Sequence, residues 1–334
     1  MRNLFIAISI LNLFIMASIA SGQMVTEKHS GKPVSTYSII AIDTAAGEMG
    51  VAVQSHWFSV GSIVAWGKAG VGVVATQSFV DISYGALGLE IMEGGKTAEQ
   101  ALKALVETDE HSDVRQVAML DVHGSIAAHT GDRCIPAAGD LQGMHYSVQA
   151  NMMEKAVVWP AMSRAFENTD GDLAERLMSA MEAAQAEGGD IRGKQSAAML
   201  IVKTEPQGPA YQNVVLDLRI EDHNEPIVEM RRLLRLHRAY VHMNNGDLAL
   251  EEGNVSKALD EYSAAEAMFP ENLEMKFWHA VSLVNVDRVD EAIPMFREIF
   301  KADDNWADLL TRLVVVGQIQ ATEQEVKTIL RKSN

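Results

Sequence analysis

Residues 37–77 read YSIIAIDTAAGEMGVAVQSHWFSVGSIVAWGKAGVGVVATQ. In this stretch, short runs of β-branched and other apolar residues alternate with glycine-containing turns, which is the pattern of strands joined by hairpins. The runs are Tyr37–Ile42, Gly50–Gln54, Ser62–Trp66 and Val71–Gln77. We therefore predict that the ordered part of the chain begins with an antiparallel sheet.

Further along the chain, segments with the hydrophobic period of a helix alternate with further predicted strands. The later strands are predicted at Val114–Asp121, Ser125–Thr130, Tyr146–Asn151, Ser196–Lys203 and Asn213–Arg219, and the helices at Ala98–Glu107, Met153–Asn168 and Leu173–Glu187. Thr97 and Gln100 have the spacing of a capping box for the first of these helices, and Pro160 is expected to bend the second. Strands, helices and again strands predict a layered α+β domain over residues 36–226.

The C-terminal third, residues 227–334, has a helical pattern that repeats. Two segments superpose at an offset of 34 residues, which places Ala258 on Ala292 and Tyr262 on Phe296. This period resembles tetratricopeptide repeats, in which a small residue lets paired helices approach and an aromatic residue fills the groove between neighbours. Two such repeats are too few to be stable alone. We expect them to pack on the first domain or on another subunit of a homo-oligomer, and to recruit a protein partner.

Composition and charge exclude several classes of protein. The 45 acidic and 28 basic residues give a net charge of −17, which repels phosphate backbones, so we expect no nucleic-acid partner. The single cysteine, Cys134, rules out an intrachain disulfide, a zinc ribbon and an iron–sulfur cluster. Residues 70–75 satisfy a loose dinucleotide fingerprint, but they continue as a strand where that motif needs a helix. We expect no metal and no cofactor.

The N-terminus has the pattern of a signal peptide. One positive charge is followed by the uncharged run Leu4–Ala20, which ends in small residues that suit signal peptidase. A retained membrane anchor is the competing interpretation, but the run is short for spanning a bilayer. We predict a signal peptide at residues 1–22, an exposed spacer at residues 23–35, and a secreted or periplasmic protein.

Polar residues end several of the predicted strands. Ser55, Gln77, His129 and Asn151 stand at or next to these ends, and strand ends on one sheet can converge into a site. Each of them can instead satisfy a local turn, because such side chains commonly bond nearby backbone. Both interpretations stay open.

The densest polar feature is residues 188–196, a glycine-framed loop that leads into an apolar strand. Asp190 and Arg192 can pair with each other or clamp a carboxylate or amide substrate. Gln195 and Ser196, at the end of the loop, are candidate substrate-binding residues. Loops held by rigid elements often carry function, so this segment is a candidate site.

Together these motifs resemble the domain-of-unknown-function family 1028. The matching motifs are Thr36–Ala41, Gly70–Gly72 with Ala75–Gln77, Tyr84-Gly85, His129–Gly131, Gly188–Ala198, and Asp217–Arg219 with Asp222-His223. That family is regarded as similar in fold to the N-terminal nucleophile hydrolases. The resemblance implies a four-layer αββα sandwich, followed here by an all-α tetratricopeptide-like helical domain.

The resemblance also implies a chemistry. In such hydrolases the first residue of the mature chain attacks an amide carbonyl and its free α-amine is the base. Thr36 is then the candidate nucleophile, with Asn151, Asp190 and Arg192 completing the catalytic set. The substrate is a small amide or peptide-like molecule, contacted by Ser55, Gln77, His129, Gln195 and Ser196. Cleavage by signal peptidase would leave residues before Thr36, so activity requires a second cut between Ser35 and Thr36. The alternative is a non-catalytic exported ligand-binding or scaffold protein.

Overall fold

A computed structural model describes residue 34 and residues 36–333, all of which belong to one compact unit. The predicted signal peptide lies outside these residues, as does the predicted spacer with the exception of Val34. Within the described part of the chain, no helix combines the length and the apolar character needed to cross a bilayer.

The described residues form ten strands in two antiparallel sheets. The strands are β1 (Thr36–Asp43), β2 (Glu48–Ser55), β3 (Ala65–Lys68), β4 (Gly72–Ser78), β5 (Arg115–Asp121), β6 (Ile126–Thr130), β7 (Gly139–Gly143), β8 (Tyr146–Asn151), β9 (Ser196–Lys203) and β10 (Val214–Ile220). One sheet has six strands in the order β10-β9-β2-β1-β8-β7, and the other has four in the order β3-β4-β5-β6. Antiparallel pairing explains why turns of two to four residues suffice between the strands of four neighbouring pairs, β1–β2, β3–β4, β5–β6 and β7–β8.

Ten helices accompany the strands in the described residues. They are α1 (Ser83–Glu93), α2 (Ala98–Thr108), α3 (Val158–Asn168), α4 (Leu173–Ala186), α5 (Pro226–Glu251), α6 (Val255–Met268), α7 (Leu273–Asn285), α8 (Val289–Ala302), α9 (Asn305–Val316) and α10 (Glu323–Ser333). The predicted capping box of α2 is present, because the side chain of Thr97 accepts from Gln100 N and that of Gln100 accepts from Thr97 N. The last six helices form a C-terminal helical region.

Alternation along the strands places the two sheets face to face. In β1, Ile40 and Ile42 join an apolar cluster between the sheets, whereas Ile39 and Ala41 face helices α3 and α4. Helices α1 and α2 cover the outer face of the four-stranded sheet in the same way. Each sheet is therefore buried on both faces.

Three predictions of local structure were wrong. Residues 60–62 form a 3-10 turn, so the strand expected at Ser62–Trp66 is displaced to Ala65–Lys68. Helix α1 was not predicted, because its two glycines argue against a helix; a Cβ on Gly85 would lie 2.4 Å from the Trp66 ring, so this glycine allows close packing on the sheet. Helix α3 begins only at Val158, which puts Pro160 in its first turn, where a missing N–H is tolerated.

The residues matched by the 34-residue offset are all buried. Ala258 and Tyr262 lie in α6, Ala292 and Phe296 lie in α8, and none of the four is exposed to solvent. Gly246 in α5 faces Tyr262, and a Cβ at this glycine would lie 2.5 Å from the Tyr262 ring. Both pairs of matched residues therefore lie in the core of the helical region.

Helix α5 joins the helical region to the sheets. Its residues Ile227, Met230 and Leu234 lie in the same apolar cluster as α3 and α4. Nearby, Arg231 and Arg238 donate to Glu175 in α4 over 2.6 and 2.9 Å. Burial alone would raise the pKa of Glu175, but the hydrogen bonds from these two arginines outweigh it and lower that pKa. The first helix of the C-terminal region therefore packs on the α/β part through both apolar and ionic contacts.

Candidate functional site

Four of the predicted site residues form one row across the six-stranded sheet. Ser196 lies opposite Ser55, Ser55 opposite Thr36, and Thr36 opposite Asn151 on the adjacent strands β9, β2, β1 and β8. All four are fully buried. Since the four strands are antiparallel neighbours, the beginnings of β1 and β9 meet the ends of β2 and β8 at one edge of the sandwiched space.

Because side chains alternate between the two faces of a strand, the side chains of this row point into the space between the sheets. Thr36 has the same parity along β1 as Ile40 and Ile42, and Ser55 the same as Val51 along β2, all of which lie in the cluster between the sheets. The space between the sheets is therefore apolar at one end and polar at the other. Such a change in polarity within a core requires that the buried polar groups be hydrogen-bonded.

Two glutamines of the four-stranded sheet reach across to the row. Gln77 Nε2 donates to Thr36 O over 3.3 Å and to Gln116 Oε1 over 2.7 Å. Gln116 Oε1 also accepts from Asn151 Nδ2 over 3.0 Å, and Asn151 Nδ2 lies 3.5 Å from Thr36 O. Amide donors from both sheets therefore converge on the main chain of Thr36.

The network continues away from Thr36 through further polar side chains. Ser38 Oγ donates to Gln77 Oε1 over 2.6 Å and accepts from Gln149 Nε2 over 2.6 Å. On the other side, Gln116 Nε2 donates to Thr130 Oγ1 over 3.0 Å, and Thr130 Oγ1 donates to Asp140 Oδ1 over 2.5 Å. Polar residues at alternate positions of β8, namely Ser147, Gln149 and Asn151, were the available signal in the sequence.

Val34 closes the site next to Thr36. The Val34 N–H donates to Ser78 O over 2.7 Å, and the Ser78 N–H donates to Val34 O over 3.1 Å. The same Val34 carbonyl accepts from Thr36 Oγ1 over 2.9 Å. We expected Val34 to be exposed as part of a spacer, but it is fully buried in the cluster between the sheets. This expectation was wrong because Val34 pairs with Ser78 of the second sheet.

Asp190 and Arg192 pair with each other. The Asp190 carboxylate is fully buried and accepts from the Arg192 guanidinium over 2.9 and 3.1 Å. It also accepts from the main-chain N–H groups of His56 and Arg192, each over 2.9 Å. His56 directly follows Ser55, so this carboxylate fixes the end of β2 beside the row. Of the two roles left open for these side chains, pairing within the loop is the one that the structure shows.

The negative charge of Asp190 also affects the pKa of a tyrosine of β1. Burial, and secondarily the negative charge of Asp190, raise the pKa of Tyr37 well above its usual value. The Tyr37 hydroxyl donates to Gln185 Oε1 over 3.1 Å. Tyr37 is therefore a neutral hydrogen-bond donor and not a candidate base.

The remaining predicted site residues lie apart from Thr36 or hold loops. His129 pairs in register with Val117, which faces the helices, and its Nε2 lies 2.7 Å from Ser112 O on that outer side. Gln195 Nε2 donates to Asp222 Oδ1 over 3.1 Å. Ser196 Oγ donates to Trp57 O and accepts from Val60 N, so it ties down the loop after β2.

The described residues contain no group of three histidine, cysteine or carboxylate side chains arranged to hold a metal ion. Cys134 is buried, its Sγ donates to Arg115 O over 3.3 Å, and burial raises the pKa of its thiol. A thiol with a raised pKa is a poor nucleophile at neutral pH.

The model of a family of unknown function, DUF1028, matches residues 36–230. The chain belongs to this family. The DUF1028 segment begins at Thr36, the first residue of β1, and covers all ten described strands. It ends within helix α5, so most of the helical region lies beyond it.

Solved structures similar to the DUF1028 segment include a crystal structure of the DUF1028 protein SPO2555 from Silicibacter pomeroyi. It has 29% sequence identity and a TM-score of 0.54 over 60% of this chain and 85% of that one. Anbu (ancestral beta-subunit) from Yersinia bercovieri aligns with 9% identity and a TM-score of 0.31 over 59% of this chain and 92% of its own. No curated protein matches the chain.

Proposed function

We propose that the chain is the precursor of a secreted amidohydrolase of the N-terminal nucleophile type, acting on an amide or small peptide-like substrate. In this proposal a cut between Ser35 and Thr36 makes Thr36 the first residue of the active chain. The observation that carries it is the position of Thr36: it starts a central strand, buried amides converge on its main chain, and its hydroxyl bonds the carbonyl of Val34. Two face-to-face sheets with helices outside them support the likeness to the αββα sandwich of such hydrolases.

The proposed reaction uses only groups of the chain and water. The free α-amine of Thr36 takes the proton of its own hydroxyl while Oγ1 forms a bond to the substrate carbonyl carbon. The carbon–nitrogen bond then breaks, the leaving amine receives that proton, and an ester to Thr36 remains. Water hydrolyses this ester, with the α-amine again acting as the base.

Buried amides hold the main chain of Thr36 in place for this reaction. Asn151 Nδ2 and Gln77 Nε2 each donate to Thr36 O and to Gln116 Oε1, which uses both N–H groups of each amide. In this proposal they are positioning residues for Thr36. Asp190 is a positioning residue in this proposal, since it holds the end of β2 through the His56 N–H.

The place of Val34 suggests how a substrate would bind. Removal of the residues before Thr36 would free the N–H and the carbonyl of Ser78, which Val34 occupies, together with the space of one buried valine side chain. An extended peptide can add to such backbone groups as a strand does. A peptide-like amide with a small apolar side chain at this position fits best.

The alternative is an exported binding or scaffold protein that is never cut. This alternative is favoured by the complete burial of Thr36 in the full chain and by the pairing of Arg192 with Asp190. In this case, tetratricopeptide-like helices would bind a protein partner. A groove of about 580 Å³ between α5 and α7, lined in part by Tyr240 and Trp278, is the surface available for it.

A chain that begins at Thr36, released from a removable N-terminal fusion, tests the proposal. The substrate is acetyl-Pro-Val-Ser-p-nitroanilide, which reproduces residues 33–35 before the cut, and release of nitroaniline is followed by absorbance. We expect turnover by this chain and none by a chain that keeps residues 23–35. Thr36→Ala should lose at least about a thousandfold in rate and Thr36→Ser should keep measurable activity, because only a hydroxyl can attack.

The matched control is Thr44→Ala, which removes a threonine from the exposed turn after β1 and should leave turnover unchanged. Equal turnover by the Thr36→Ala variant and the unmodified chain would reject Thr36 as the nucleophile. No turnover by a folded chain that begins at Thr36 would favour the binding protein.

A further inference from the structure

We propose that the cavity between the edge of the six-stranded sheet and helix α5 binds a small organic cation, a primary amine with an apolar body. The cavity has a volume of about 340 Å³. The polar residues that line it are Glu48, Asp172, His237, Arg238 and His242. It is independent of the proposed hydrolase, since it lies at the opposite end of β2 from Ser55, about 23 Å away at the rise of a strand.

The walls of this cavity are largely apolar and come from rigid elements. Ile201 and Leu216 belong to β9 and β10, and Leu234 to α5; all three lie in the apolar cluster that α3 and α4 share with the sheet. Met268, at the end of α6, closes another side. A preformed apolar pocket with a few polar groups, at the junction of two parts of a chain, is the usual form of a small-molecule site.

Most of the polar groups around the cavity already have partners. Arg238 donates to Asp172 over 2.7 Å, and Asp172 also accepts from the first turn of α4 over 2.8 Å. His242 Nδ1 lies 2.6 Å from Glu261 Oε2. Within the described residues, the side chains of Glu48 and His237 make no hydrogen bond and no ion pair. These two groups are the ones left for a ligand.

The electrostatics around Glu48 favour a cation. Burial, together with the carboxylates of Asp172 and Asp43, raises the pKa of Glu48, and Lys203 on the neighbouring strand only partly opposes this. A positive group in the cavity would relieve the repulsion between Glu48 and Asp172. An anion would meet that repulsion in full, because Arg238 is already shared between two carboxylates.

His237 supplies the second contact. Burial and the neighbouring charge of Arg238 lower the pKa of His237, so its imidazole is neutral at pH 7 and can accept an N–H. A primary ammonium has three N–H donors and can bond Glu48 and His237 together, while its carbon body covers the apolar wall. Two free ligands are too few to fix a metal ion in a closed site.

Titration calorimetry of the full chain with 2-phenylethylamine tests this proposal. The matched neutral and anionic probes are 2-phenylethanol and 3-phenylpropanoate. We expect saturable one-to-one binding of the amine, at least about tenfold weaker binding of the alcohol, and no binding of the acid, since a hydrogen bond to a charged group is worth a factor of this size.

Glu48→Gln should weaken binding of the amine at least about tenfold and leave the alcohol unaffected. This variant removes a repulsion and no bond, so we expect it to fold. Glu90→Gln, at an exposed position of α1, is the matched control and should bind the amine like the unmodified chain. Equal affinity for amine and alcohol, unchanged binding by Glu48→Gln, or no saturable binding of the amine would each overturn the proposal.

Discussion

Gln116 links the two sheets, and its replacement by leucine should destabilise the protein measurably. Its Oε1 accepts from Gln77 and Asn151 over 2.7 and 3.0 Å. Its Nε2 lies 2.9 Å from Ala150 O and 3.2 Å from Gly139 O. In the Gln116→Leu variant these four groups lose a partner, and so does Thr130 Oγ1, which keeps its bond to Asp140.

The size of the effect follows from the number of bonds. Each unsatisfied group costs about 1 kcal/mol at the low end of the usual range, a choice justified because Gln77 keeps a weaker contact with Thr36 O. The buried leucine returns about 1.5 kcal/mol through its larger apolar surface. We therefore expect the free energy of unfolding to fall by about 2–3 kcal/mol.

Urea denaturation followed by far-ultraviolet circular dichroism measures this change. The midpoint should fall while the slope with urea stays constant, because the surface exposed on unfolding is unchanged. Gln142→Leu makes the same substitution at an exposed position of β7 and should change stability by less than about 0.5 kcal/mol. If the two variants were equally stable, the buried network would not be as described.

Three further predictions use the same measurement. Val34→Ala should lower the free energy of unfolding of the full chain by about 2 kcal/mol, because the substitution removes two methyl groups from a filled core. An unchanged free energy of unfolding would mean that Val34 does not pack between the sheets. Asp190→Asn should lower stability by about 1–3 kcal/mol, whereas Asp217→Asn, which alters a similarly spaced but exposed aspartate–arginine pair, should have little effect; equal losses would contradict the role of the buried carboxylate. The pKa of Glu175 is lowered in the folded protein, so this carboxylate stabilises the fold above about pH 4.5 and loses that contribution as the pH falls through its folded pKa. Glu175→Gln should therefore be less stable than the unmodified chain at pH 7, and the difference in the free energy of unfolding should shrink towards pH 3. A difference that does not depend on pH would refute this.

Much of the fold could be predicted because its signals are local. The β-branched run at Tyr37–Ile42 and the apolar run at Ser196–Lys203 identify the strands that are now seen as β1 and β9. Helix α1 and strand β7 escaped prediction, since the glycines that break their local patterns are there for tertiary packing: Gly85 makes room for Trp66, and Gly139 for Trp159. Propensity cannot reveal a contact between residues that are distant in sequence.

The candidate site was only partly predictable for a related reason. Ser55, Thr36 and Asn151 lie in one row because of the strand order and register of the sheet. Polar residues at strand ends do not determine either of these in the sequence. His129 also lies near the end of a strand, but its position in the alternation along β6 places its side chain on the outer face of the four-stranded sheet. The bridge between Val34 and Ser78 has no sequence signal, because it pairs a single residue before the first strand with a strand of the second sheet.

The free threonine amine is the requirement on which the proposed hydrolase depends, so the first residue of the mature protein is the most direct test. The measurement is N-terminal sequencing together with intact mass, on the protein recovered after expression of the full-length gene. Our account predicts a chain that begins at Thr36 and has lost residues 1–35. A functional protein that begins near Ser21 or Gly22, with Val34 still paired to Ser78, would contradict it.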